Sequence, residues 1–224
     1  MKKSKASRLY MITAVIFSII MAAAAYKQIK QCKDEAGYDG KKGVTRLAPA
    51  APMTVPGESW KSNTIQINET VLTLPCKVID LENAGLEVLG FEEGTAFYAG
   101  YGEDVYFADE SGNKVCAEVI NPNNGPELLK DCLIAAVYIW DWELVNENLT
   151  ILFPGDIHIG STEAEVIERY GKPDTREYTQ SINMYSLEWN QRETGQYCLM
   201  DVEDGKVVSL FLAAFNTVEY TDYE

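Results

Sequence analysis

Residues 160–174, GSTEAEVIERYGKPD, constrain the fold more than any other part of the chain. Thr162 and Glu165 stand at the capping-box spacing, so the hydroxyl accepts from a free amide while the carboxylate reaches back to the Thr162 amide. Glu163 puts negative charge in the first turn, where the helix dipole favours it. Val166, Ile167 and Tyr170 recur at three and four residues and predict one apolar stripe. Gly171 suits the positive φ of a helix end, and Pro173 stops continuation. A helix of about two to three turns is marginal alone in water, so it must lie on an apolar surface.

The material for that surface follows directly. Residues 182–189, 197–204 and 206–214 are strand-like runs separated by turn formers, and Asp204 with Gly205 suits a tight hairpin. The first half shows a similar order. Residues 63–74 alternate and predict a hairpin, and Val78 and Leu81 belong to a short helix ended by Gly85. Residues 102–121 predict two strands around a turn at 111–113, and residues 132–140 predict a further strand. The expectation is an α+β fold of two small tandem units, each a short helix packed on an antiparallel β-meander, after an N-terminal hydrophobic helix. The segments expected are 1–26, a signal peptide or transmembrane anchor; 27–61, a linker containing Pro and Gly; 62–148, the first unit; and 149–224, the second.

In the amino-terminal segment, Lys2, Lys3, Lys5 and Arg8 precede an uncharged run at 9–26. A cleaved secretory signal and an uncleaved anchor both fit this pattern. The expected location is the extracytoplasmic face of a cell membrane, or secretion if the segment is cleaved. Pro49, Pro52 and Pro56 stiffen the linker that follows.

Charge narrows the partners. The formal net charge is −15, divided as +6 over residues 1–59 and −21 over residues 60–224. So acidic a body repels polyphosphates, which argues against nucleic acid and leaves cationic partners open. The five cysteines, Cys32, Cys76, Cys116, Cys132 and Cys198, are widely spaced, and the chain has one histidine. Zinc sites draw on close cysteine pairs, so no metal is expected. The cysteines read as small buried hydrophobes, with a disulfide open outside the cytoplasm. No catalytic residue and no cofactor is expected. His158 stands in an alternating run and is expected to face solvent. Asp109 to Asn113 resembles a calcium loop but lacks its spacing and terminal glutamate, so a hairpin turn is expected.

Tyr138, Trp140 and Trp142 share one parity, which on a strand places them on one face. Two readings stand: packing in the core or between units, and an exposed aromatic binding surface.

The stretch 157–174 resembles the Gly-x-Thr-x-x-Glu-Val-x-x-x-(Phe/Tyr)-Gly-x-Pro signature of the SmpA/OmlA (BamE-like) and beta-lactamase-inhibitor-protein-like superfamily. Gly160, Thr162, Glu165, Val166, Tyr170, Gly171 and Pro173 are the matching positions. The chain also resembles tandem-repeat exported proteins of Gram-positive bacteria. The resemblance implies a non-enzymatic protein that holds assembly partners or inhibits a secreted enzyme. The chain departs from the lipoprotein members in lacking a lipobox before Cys32. The function expected is a non-catalytic exported or membrane-anchored domain that binds a protein or cell-envelope component. A structural module of a surface complex and an extracellular hydrolase are the alternatives.

Overall fold

The computed structural model describes residues 45–91, 95–97, 102–123, 125–181, 183–191, 194–215 and 217–219. The expected signal or anchor at 1–26 and Cys32 lie outside the described residues. The described residues belong to one compact unit.

In chain order the unit opens with β1 (Thr45–Leu47), the hairpin β2 (Thr64–Ile67) and β3 (Thr70–Thr73), and β4 (Cys76–Lys77). Helix α1 (Val78–Asn83) leads to β5 (Glu87–Leu89), β6 (Ala96–Phe97), β7 (Gly102–Ala108), β8 (Lys114–Ile120), β9 (Glu127–Leu128) and β10 (Leu133–Trp140). After β11 (Ile151–Leu152) comes helix α2 (Glu163–Tyr170). It is followed by β12 (Thr175–Thr179), β13 (Met184–Gln191), β14 (Gln196–Glu203), β15 (Lys206–Ala214) and β16 (Thr217–Glu219).

The expectation of two helix-on-meander units is overturned. The described part is β-rich, with two short α-helices and one nine-stranded antiparallel sheet in the order β12-β13-β14-β15-β10-β8-β7-β5, with β4 also paired to β10. The reason lies in β10 and β15. LIAAVYIW and KVVSLFLAA are almost wholly apolar, a composition that suits central strands covered on both faces. They pair from Ala136↔Ala213 to Trp140↔Ser209, and so fuse the strands of both halves. One hydrophobic cluster then takes Val78 and Leu81 of α1 together with Val166 and Tyr170 of α2. β11 also pairs with β2 across the expected boundary at residue 148.

The helix α2 is built as its sequence prescribes at both ends. The Thr162 amide donates to Glu165 Oε2 at 2.7 Å, and the Glu165 amide donates to Thr162 Oγ1 at 3.2 Å. Gly171 closes it at φ 80°, donating to the Ile167 carbonyl at 2.9 Å. The expected stripe is narrower than read: Val166 and Tyr170 are buried, but Ile167 is 37% exposed. With only two apolar residues facing in, other contacts hold the helix. The Tyr170 hydroxyl donates to the Pro154 carbonyl at 2.8 Å, and its ring meets Trp189 edge-on at 5.6 Å. Such an edge contact contributes about 0.5–1.5 kcal/mol beyond its buried area. The helix start is tied to the β14–β15 turn, with the Gly160 amide donating to the Val207 carbonyl and the Glu163 amide to the Gly205 carbonyl. Asp204 and Gly205 both have positive φ, at 49° and 76°, which matches the twist of a two-residue hairpin.

The second half of the segment read as a linker lies against the body. The Ala50 amide donates to the Pro75 carbonyl, Met53 to Thr73 Oγ1 and Gly57 to Thr64 Oγ1. Trp60 is buried in the core. Prolines offer no amide, so this extended stretch is held at separate points by the amides that remain.

Candidate functional site

The two faces of the sheet differ. Residues paired across antiparallel strands project to the same side. Val137 and Ile139 of β10, Val115 and Ala117 of β8, Cys198 and Met200 of β14, and Leu210 and Leu212 of β15 point into the main core. A bulge in β10 between Ile134 and Ala136 resets the alternation, so Ile134 faces the core while Ala136, Tyr138 and Trp140 face the other way.

Three rows cross the middle of that other face, and a fourth, Thr179, Met184, Glu203 and Lys206, lies at its edge. The central row runs Thr175, Glu188, Leu199, Phe211, Tyr138, Cys116, Tyr106 and Leu89, one residue from each strand of the main path. Beside it lie Asn190, Tyr197, Ala213, Ala136, Glu118 and Asp104 on one flank. On the other flank lie Glu177, Ser186, Asp201, Ser209 and Trp140. Ala136, Phe211 and Ala213 form a second, small cluster, joined by Tyr138, Tyr197, Leu199 and Phe215. All of its members among the described residues belong to β10, β14 and β15 or adjoin them, and neither described α-helix contributes.

The aromatic rings form a continuous ladder. Trp142 stacks on Trp140 at 5.8 Å and Trp140 on Tyr138 at 5.7 Å. Tyr138 meets Phe211 at 4.3 Å, and Phe211 meets Tyr197 at 5.4 Å. Trp142 lies beyond β10 in a 3-10 turn at Asp141–Glu143, not in the strand, and is 53% exposed. Tyr138 and Trp140 are half-buried. Tyr138 and Trp140 lie on the sheet face away from the main core, and Tyr138 packs on the small second cluster. The strand parity fixes that for Tyr138 and Trp140, and the turn extends the stack to Trp142. Burial raises the Tyr138 hydroxyl pKa well above its ordinary value and pushes that of Tyr106 up to about 12, so both stay neutral donors.

Acidic side chains border the ladder. Asp104 stands opposite Glu118 on neighbouring strands, and desolvation raises the Asp104 carboxyl pKa. Asp201 is buried and accepts from Ser186 Oγ and Ser209 Oγ, each at 2.6 Å. Lys114 is bound at 3.4 Å by Glu143. Sequence reasoning missed these acids as a group, because they come from β7, β8, β12, β13 and β14 and only the strand order brings them together.

The remaining sequence candidates fall elsewhere. His158 is exposed, with Nδ1 2.9 Å from the Asp156 carbonyl and 3.2 Å from Ser161 Oγ. Asp109 organises its turn, since Oδ1 accepts from the Ser111 and Asn113 amides at 2.9 Å. Gly160, Thr162, Glu165, Val166, Tyr170 and Gly171 shape and dock α2, and half-buried Pro173 follows it, away from the aromatic ladder. Cys76, Cys116, Cys132 and Cys198 are free and buried. Burial raises all their thiol pKa values, to about 12 for Cys76 and about 11 for Cys132. Among the described residues no group of three or more His, Cys, Asp or Glu is placed to hold a metal, and no helix is long and apolar enough to cross a membrane. A surface groove of about 600 Å³ runs past Leu47, Lys77, Ile79, Lys130, Asp131 and Leu133, at the opposite end of β10 from Trp140.

No protein-family model, curated protein or solved structure matches the chain.

Proposed function

We propose that the chain is a non-catalytic binding module that takes a protein or cell-envelope component on the sheet face bearing Tyr138, Trp140 and Trp142. Residues 1–26 export it or anchor it in a membrane, and the binding face works on the extracytoplasmic side. One observation carries this reading: the aromatic ladder ends in an indole that is 53% exposed, on a face whose small cluster includes neither described α-helix. Large aromatic side chains with part of their area open are the groups that dominate binding energy once a partner covers them. The basic residues before the uncharged run at 9–26 support the export.

The test is co-purification from envelope extracts of the native host, with the full chain as bait, compared with Trp142→Ala and Trp140→Ala. The reading expects a defined partner that the wild type retains and both variants lose while their folds are kept. A partner held equally by all three proteins places the binding surface elsewhere.

A further inference from the structure

The rows that cross the aromatic face are one-sided in charge. These three rows carry Asp104, Glu118, Glu177, Glu188 and Asp201 and no basic residue; Lys114 and Lys206 lie at the edge of the same face, Lys114 paired with Glu143 and Lys206 opposite Glu203. Asp201 is engaged by two serine hydroxyls. Asp104 and Glu177 are exposed and Glu188 is half-buried. These last three flank the ladder from both sides: Glu177 and Glu188 on β12 and β13, Asp104 on β7.

Aromatic faces attract cations, and the attraction grows when water is excluded. Carboxylates beside such rings favour the same charge and repel anions. A face of this make-up selects a cationic occupant with an apolar middle. The sheet order also sets its size. From β13 to β7 there are five strand spacings, about 24 Å, which is about seven residues of extended chain.

We propose that the occupant is a basic segment of a partner protein, with lysine or arginine near both ends and apolar side chains between. Its cations pair with Glu177 and Glu188 at one side and Asp104 at the other, and its middle covers Phe211, Tyr138 and Trp140. This rests on the reading of the face as a binding surface and names what that surface takes.

The probe is a capped nine-residue peptide with two lysines at each end and valine and tryptophan between. Its twin carries glutamates in place of the lysines. Binding to the full chain is measured by fluorescence anisotropy. The lysine peptide is expected to bind at least about tenfold tighter than its twin and to weaken about tenfold between about 50 and 300 mM salt. Asp104→Asn with Glu188→Gln is expected to reduce its affinity at least about fivefold. Removing the same charge from the helices, with Glu82→Gln and Glu168→Gln, is expected to change affinity less than about twofold.

Three results overturn the inference: the glutamate twin binds as tightly, neither peptide binds, or the face and helix variants weaken binding equally. If both peptides bind alike and both are lost in Trp142→Ala, the face remains a binding surface and only its charge preference fails. If the lysine peptide binds Trp140→Ala and Trp142→Ala as tightly as wild type, it sits elsewhere, and the inference fails with it.

Discussion

Replacing Gly171 tests the end of α2, and its cost can be worked from the backbone alone. Gly171 holds φ 80° and ψ −170°, a region that side-chain-bearing residues essentially do not enter. A Cβ built there meets nothing within 4 Å, so no clash adds to the cost. Backbone strain of this kind costs about 1–3 kcal/mol. Alanine also restricts the unfolded chain, which offsets about 0.4–1 kcal/mol. Gly171→Ala is therefore expected to lose about 1–2 kcal/mol net, and Gly171→Val more, because a β-branched residue resists positive φ further. The Gly171 carbonyl accepts from Trp189 Nε1 at 3.2 Å, so the chain cannot relax φ without disturbing that bond. Urea melts of the purified protein give the number. With a slope of about 2 kcal/mol/M the alanine midpoint falls by about 0.5–1 M, while exposed Glu168→Ala moves little. An alanine midpoint at or above wild type would refute the positive-φ account.

Thr162→Ala removes the capping hydroxyl and should cost about 1 kcal/mol in the same melts; no change means that Glu165 alone caps the helix. In a Cys32→Ser background, a thiol reagent should leave Cys76, Cys116, Cys132 and Cys198 unmodified until urea unfolds the chain, because burial raises each thiol. Rapid labelling of the native protein contradicts their burial. Burial holds the folded Asp201 carboxyl above its unfolded value, despite the lowering effect of the two serines. The folded state therefore keeps this proton to higher pH, and the group's contribution to stability falls as pH rises from the unfolded value through the folded one. Asp201→Asn should flatten that part of a stability-against-pH curve, and an identical slope sinks the assignment.

What was legible in the sequence was local. The box at Thr162 and Glu165, the glycine stop and the Asp204–Gly205 turn each depend on residues a few positions apart, and all three form. The parity of Tyr138 and Trp140 placed them on one face, but parity cannot say which face is covered. Ile167 fits a helical stripe, yet only two stripe positions reach the core beneath so short a helix. The pairing of β10 with β15 was not legible, because it joins residues about seventy positions apart. Its trace was compositional: among the strand-like runs these two are the most continuously apolar, which marks central strands. β12 was missed because Thr175–Thr179, TREYT, is polar on both faces, as an edge strand should be. The acidic border of the ladder could not be seen before the strand order was known.

The most direct measurement of the central claim is site-specific photo-cross-linking in the native host, with a photoreactive phenylalanine analogue at Trp142 or at Tyr178. Both positions are exposed, at 53% and 49%, but Tyr178 pairs with Tyr185, which packs on the main core, and so lies on the helix side of the sheet. The account predicts a discrete cross-linked species from position 142 and none from 178. The same species from both positions, or one from 178 alone, contradicts it.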